Sequence, residues 1–153
     1  MLLLVALLLG VSAGLRSMTP LAVVAWGARG WPAVAGSALG FMSAPITGYV
    51  FAALALGELI ADKLPFIPSR LQPGPLGGRV ISGALTGTVA GIALQGSPIV
   101  GGLVGAIGGL AGAFGGYAVR RGLTADRKLP DVPVALLEDV VAIALAVFAV
   151  SRI

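Results

Sequence analysis

The sequence predicts an all-α fold, a polytopic membrane helix bundle of about five transmembrane helices forming a single transmembrane domain over residues 1–153. Three observations predict it. Hydrophobic residues make up 58% of the chain and the mean hydropathy is +1.03. Only 10% of residues are charged, where a soluble domain carries about a quarter, so too few charges are present to cover a water-facing surface. The apolar stretches approach the ~20 residues that a bilayer-crossing helix requires, and Gly and Pro separate them.

The first stretch covers about residues 2–26 and is interrupted by Arg16 and Pro20. Its opening carries a small-residue Val11-Ser12-Ala13 step but no Lys or Arg ahead of the apolar run. It therefore reads as a helix and not as a signal peptide. The second covers about residues 33–61, long enough to be tilted or broken at Pro45. The third runs over about 80–94, the fourth over 99–119 and the fifth over 134–150. Gly30-Trp31-Pro32, the stretch 65–78, Gly96-Ser97-Pro98 and the stretch 129–133 form the joints.

The third and fourth helices carry a glycine zipper. Gly83, Gly87 and Gly91 recur at four-residue steps, as do Gly101, Gly105 and Gly109, and also Gly108, Gly112 and Gly116. Four residues return to nearly the same helix face. A strip without side chains lets two backbones approach closely, the usual means of helix association in lipid. Gly10 with Gly14, and Gly36 with Gly40, repeat the spacing more briefly.

Charge is distributed unevenly. Lys63, Arg70, Arg79, Arg120, Arg121, Arg127 and Lys128 fall on one side of the membrane, and Arg29 and Arg152 on the other. The positive-inside rule makes the first side cytoplasmic, including the loops at 63–79 and 120–131. All six acids, Glu58, Asp62, Asp126, Asp131, Glu138 and Asp139, share that side. With five full spans the N-terminus is cytoplasmic. If the first segment is instead a re-entrant hairpin, the N-terminus moves to the other side and the loop assignment is unchanged. Ala61-Asp62-Lys63-Leu64-Pro65 resembles Ala125-Asp126-Arg127-Lys128-Leu129-Pro130. Both a duplicated hairpin unit and convergent loop composition account for this likeness.

Several function classes are excluded or disfavoured. There is no Cys and no His, which removes thiolate metal sites, the commonest general base and the usual pH switch. The net charge of +4 is spread over helix ends and forms no basic stripe with interleaved aromatics, so nucleic acid is not expected as a partner. The glycines follow no strand and lie in apolar spans, so they do not form a nucleotide loop. No cofactor and no metal is expected.

Arg16 is the residue that most needs explaining. In a continuous span it falls near the middle of the bilayer, where an Arg costs about 2.5–3.5 kcal/mol on insertion scales. It must face the interior and find a partner. Ser17, Thr19 and Pro20 follow it in the pattern of a broken helix that binds something polar. Candidate partners are Glu58 and Asp62, four residues apart on one helix face, and Glu138 and Asp139 one turn into the fifth helix. Arg79 opens the third helix. Arg16, Ser17, Thr19, Glu58, Asp62, Arg79, Glu138 and Asp139 are thus the candidate substrate-binding residues.

Four motifs, in order along the chain, resemble a known family. They are Gly14-Leu15-Arg16 with Pro20-Leu21, the run from Glu58 to Pro65, the run from Arg79 to Leu85 with its Ser82-Gly83-Ala84-Leu85 end, and the run from Val132 to Ala142. The chain is similar over nearly its whole length to the bacterial integral membrane proteins of unknown function, DUF4126. The resemblance implies the bacterial inner membrane and implies no settled activity. Relatives often carry further Asp residues after the Asp-Lys-x-Pro motif. Here residues 66–73 hold no acid, so no metal-dependent role is carried over.

Three functions follow as expectations. The first is a small transporter or channel-like protein that binds a small anionic or polar solute at Arg16, with Glu58 and Glu138 as countercharge. About five helices are few for one transport path, so a homodimer surrounded by membrane lipids is expected. The second is a structural or accessory subunit with no site of its own. The third is a lipid-headgroup enzyme using Asp62, Glu138 and Asp139 around Mg²⁺. The absence of His and of any phosphotransfer motif counts against this third function.

Overall fold

Four of the helices begin at a proline, which is pre-set for the first helical position and has no N–H to leave unsatisfied there. The computed structural model describes residues 1–62, 71–126 and 129–153. Lys63, Arg70, Arg127 and Lys128, expected among the cations of one side, lie outside the described residues, as does much of both loops that resemble each other. Among the described residues the helices are α1 (Leu2–Leu15), α2 (Met18–Ala28), α3 (Pro32–Ala35), α4 (Pro45–Ala61), α5 (Pro73–Ala93), α6 (Pro98–Arg121) and α7 (Asp131–Val150). A 3₁₀ turn over Gly40–Ser43 precedes α4, and a π turn over Gly122–Asp126 follows α6. No strand occurs among the described residues.

The segments Pro73–Ala93, Pro98–Ala125 and Asp131–Val150 are long and apolar enough to cross a membrane. The helices α1, α2 and α4 are shorter apolar helices. Large apolar side chains such as Leu103, Ile107 and Phe114 on α6 stand exposed, which lipid accommodates and water does not. The chain is a membrane protein.

The first apolar stretch is broken, as expected, but it does not continue across the bundle. Ser12 Oγ donates to the carbonyl of Ala142, and Arg16 Nε reaches Asp139, so α1 runs antiparallel to α7. A side chain on Gly27 would meet Val150, so α2 runs back alongside α7 to its far end. Thus α1 and α2 form a helical hairpin with Arg16 at its tip. At 1.5 Å per residue the arms are about 21 and 16 Å long, short of the ~30 Å hydrocarbon core. Two expectations for five full spans are therefore corrected. Arg16 is not midway along a continuous helix, and the N-terminus does not lie at the charged end. Leu2 packs near Gly96 in the α5–α6 turn, at the opposite end.

Glycine places the helices. The Gly101, Gly105 and Gly109 strip of α6 faces α5: a Cβ on Gly105 would overlap the carbonyl of Gly83, and one on Gly101 that of Gly87. The second strip, Gly108 and Gly112, faces α1 across Gly10, Val11 and Gly14. This use of the second strip was not expected from the sequence. Toward the end without acids the core is apolar, with Val5, Leu9, Val24, Ala28, Val89 and Ala149 all fully buried. Trp26 meets Tyr49 edge to face at 5.3 Å, and the Arg29 guanidinium lies 4.8 Å over the Trp26 ring. Such aromatic pairs are typical of a membrane interface.

The packing sets a contrast between two glycines. The methyl group of Gly105→Ala would overlap the backbone of α5, and the substitution should cost about 2–3 kcal/mol of stability in detergent. A Cβ on Gly57 would meet nothing within 4 Å, so Gly57→Ala should be neutral or stabilise by up to ~1 kcal/mol. Thermal unfolding in micelles measures both. Equal responses would refute close backbone contact as the organising force.

Candidate functional site

The hairpin tip creates an electrostatic problem at both broken ends. Arg16 is extended, with φ −141° and ψ 111°, and Ser17 begins the next helix as its N-cap. The last carbonyls of α1 and the first amides of α2 lose their helical partners there. Pro20 sits in the first turn of α2, where its missing N–H costs little.

Opposite charges close the two ends. The Glu58 carboxylate, from the last turn of α4, accepts the backbone N–H of Ser17 at 2.8 Å and of Met18 at 2.8 Å, and the Ser17 hydroxyl at 2.8 Å. An anion there also complements the positive end of the α2 dipole. Arg79, from α5, donates through Nη1 to the carbonyl of Gly14 at 2.7 Å and to that of Leu15. A cation thus complements the negative end of α1. Arg79 Nη2 stands 3.9 Å from Glu58 Oε1, joining the two caps. Ser82 donates to the carbonyl of Ser17.

Arg16 itself is fully buried and is the largest fully buried side chain among the described residues. Its Nε donates to Asp139 Oδ1 at 2.6 Å. Its Nη2 lies 2.8 Å from Asp62 Oδ2, in ion-pair contact but at an angle outside the hydrogen-bond range. Among the described residues its Nη1 is buried with no hydrogen-bond partner, as is Thr19 Oγ1. The same Asp62 oxygen accepts from Arg120 Nη1 at 2.7 Å. Arg120 grips Asp131 with both edges of its fork, at 2.9 and 2.7 Å, and Glu138 Oε2 lies 3.8 Å from Arg120 Nη1. An ionic ladder therefore runs from Asp131, whose side chain is 57% exposed, through Arg120 and Asp62 to Arg16 and Asp139.

The structure brings all eight expected residues to one end of the bundle. Arg16, Asp62 and Asp139 meet directly. Ser17, Glu58 and Arg79 form the caps of the hairpin. Glu138 approaches the group through Arg120, and Thr19 lies buried in the first turn of α2. Arg120 and Asp131 were missed as members, because helix-end charges usually serve only as anchors. Their one available signal was a cation at the end of α6 followed by an acid at the start of α7. Asp62 and Asp139 both face guanidinium groups. This arrangement does not favour a shared Mg²⁺ on those acids.

The burial gradient along the ladder sets its energetics. Removing Asp139 leaves a buried guanidinium short of a partner, so Asp139→Ala should cost about 3–5 kcal/mol. The more exposed end is different, and Asp131→Ala should cost about 1 kcal/mol or less. The thermal midpoints of the two variants in one detergent test this order, and a reversed order would refute the ladder as drawn.

Comparison with known proteins places this geometry in a family. No curated protein and no solved structure matches the chain. The model of DUF4126, a domain of unknown function, matches residues 3–152. The chain belongs to the DUF4126 family.

Proposed function

We propose that this protein is a small inner-membrane carrier or channel-like protein that admits a small anionic solute to the hairpin tip. Arg16 is the binding residue, and Asp62 and Asp139 are the carboxylates that close the site in its solute-free state. The observation that carries this reading is the Arg16 guanidinium, fully buried at the break of the α1–α2 hairpin, with Nη1 lacking a hydrogen-bond partner among the described residues. Three physical arguments support it. A buried ion cluster stabilises less than apolar packing of equal volume. An intramembrane charge is costly enough that it usually marks a site. Interrupted helices whose ends point at charge are the common way to build a solute site within a membrane. By the positive-inside rule the ladder end is cytoplasmic, so a solute would enter from the cytoplasm as Asp62 and Asp139 release Arg16. Ser17, Thr19, Glu58, Arg79 and Glu138 complete the polar wall. A homodimer remains the expected assembly under this reading.

A second reading is an accessory subunit in which the ladder only fastens the hairpin. The close pairing of Arg16 with two carboxylates favours it.

An internal competitor distinguishes the two. Asp139→Asn weakens the hold on Arg16, so sulfate, phosphate or acetate at constant ionic strength should raise the melting temperature of that variant by about 3 °C or more over chloride. Arg16→Gln should show no such response beyond the general effect of excluded salts. An equal response in Arg16→Gln, or none in Asp139→Asn, would leave the fastening role as the better account.

A further inference from the structure

A groove of about 290 Å³ runs between α6 and α7, with α1 as its back wall. Its walls are apolar, formed by residues such as Val11, Leu15, Val134 and Val141, and it is partly open at the exposed residues Ala111, Gly115 and Leu137. Arg120 and Glu138 line its other end, toward the ladder. Arg121, next along the helix, is exposed.

Gly115 supplies a second, independent observation. On α6, a Cβ at Gly101, Gly105, Gly108, Gly109 or Gly112 would run into a neighbouring backbone, which accounts for their lack of a side chain. A Cβ on Gly115 meets nothing within 4 Å. Glycine in a helix interior costs roughly 1 kcal/mol relative to alanine, and no contact among the described residues accounts for it there. What the glycine does is widen the groove.

We infer that this groove holds one acyl chain of a membrane phospholipid, with the headgroup phosphate at the Arg121 end. An apolar cavity of about 150 Å³ already admits benzene, so 290 Å³ suits a single polymethylene chain. Its direction also matches that of a lipid: charge at one end, apolar walls along the helix axes, and an opening toward the exposed apolar faces of α6 and α7. The groove borders the ladder at Arg120 and Glu138 but is not lined by Arg16, and its test reads the position of an acyl chain, which the solute reading does not predict.

The test uses the full-length protein in vesicles of phosphatidylethanolamine and phosphatidylglycerol, doped with a phosphatidylethanolamine that carries a diazirine in one acyl chain. After photolysis, mass spectrometry should place the label at Gly115, Val119 and Val141 in preference to the exposed Leu103 and Ile107 face of α6. Gly115→Leu puts a side chain at the groove from a position where a Cβ has room and should cut groove labelling about tenfold, with the melting temperature unchanged or raised. Val141→Trp fills it from the other wall and should act in the same way. Uniform labelling of the groove and the outer face would overturn the inference, as would groove labelling unchanged in both variants. So would a wild-type dimer that becomes monomeric in Gly115→Leu, since the groove would then be a seam between two copies.

Discussion

Reversing a polypeptide inside an apolar bundle exposes backbone donors and acceptors that lipid cannot satisfy. In this protein the reversal falls at Arg16 and Ser17, and much of the charged end is arranged around it. Glu58 takes the amides that begin α2, and Arg79 takes the carbonyls that end α1. Each cap also opposes the dipole of the helix end it covers. The two caps come from α4 and α5, so those helices must pack against the hairpin at a fixed height. Replacing either cap with an apolar residue would leave several buried polar groups without partners at once.

The two halves of the bundle are held by different physics. Near the end without acids, apolar side chains and glycine strips bring α1, α5 and α6 to backbone contact, where dispersion acts over many atoms. Near the charged end the helices are linked by a ladder whose members come from the hairpin tip, α4, α6 and α7. The glycine contacts make the ladder possible, because only closely approaching backbones let Arg79 reach the carbonyls of α1. The ladder in turn fixes register, since one-turn slips would leave buried charges unmatched. Against apolar packing of equal volume, buried ion pairs of this kind add little net stability, although removing one partner is costly.

Much of this was legible in the sequence, and the limits have physical causes. The cost of an Arg among apolar residues required that Arg16 face inward and meet an acid. Glu58 stood out because it lies a turn deeper than Asp62. The two glycine strips of α6 were visible as four-residue periods, but a period does not say which neighbour each strip serves. Arg120 and Asp131 were overlooked because a charge at a helix end has a sufficient explanation in the interface. That Arg120 bridges Asp131 and Asp62 depends on a helix coming alongside from elsewhere in the chain.

By itself the sequence determined that the chain is a helical membrane bundle, that it breaks near Arg16, that its charge gathers at one end and that glycine brings helices together. These are properties of composition, local period and solvation cost, and neighbouring residues suffice to state them. Only the tertiary structure decided that the chain turns back at Arg16 to form a hairpin, that the N-terminus lies at the end without acids, and that Arg16 meets Asp139 across 123 positions of sequence. Direction after a break and the choice among several acids are set by which surfaces pack together, and those surfaces are distributed over the whole chain.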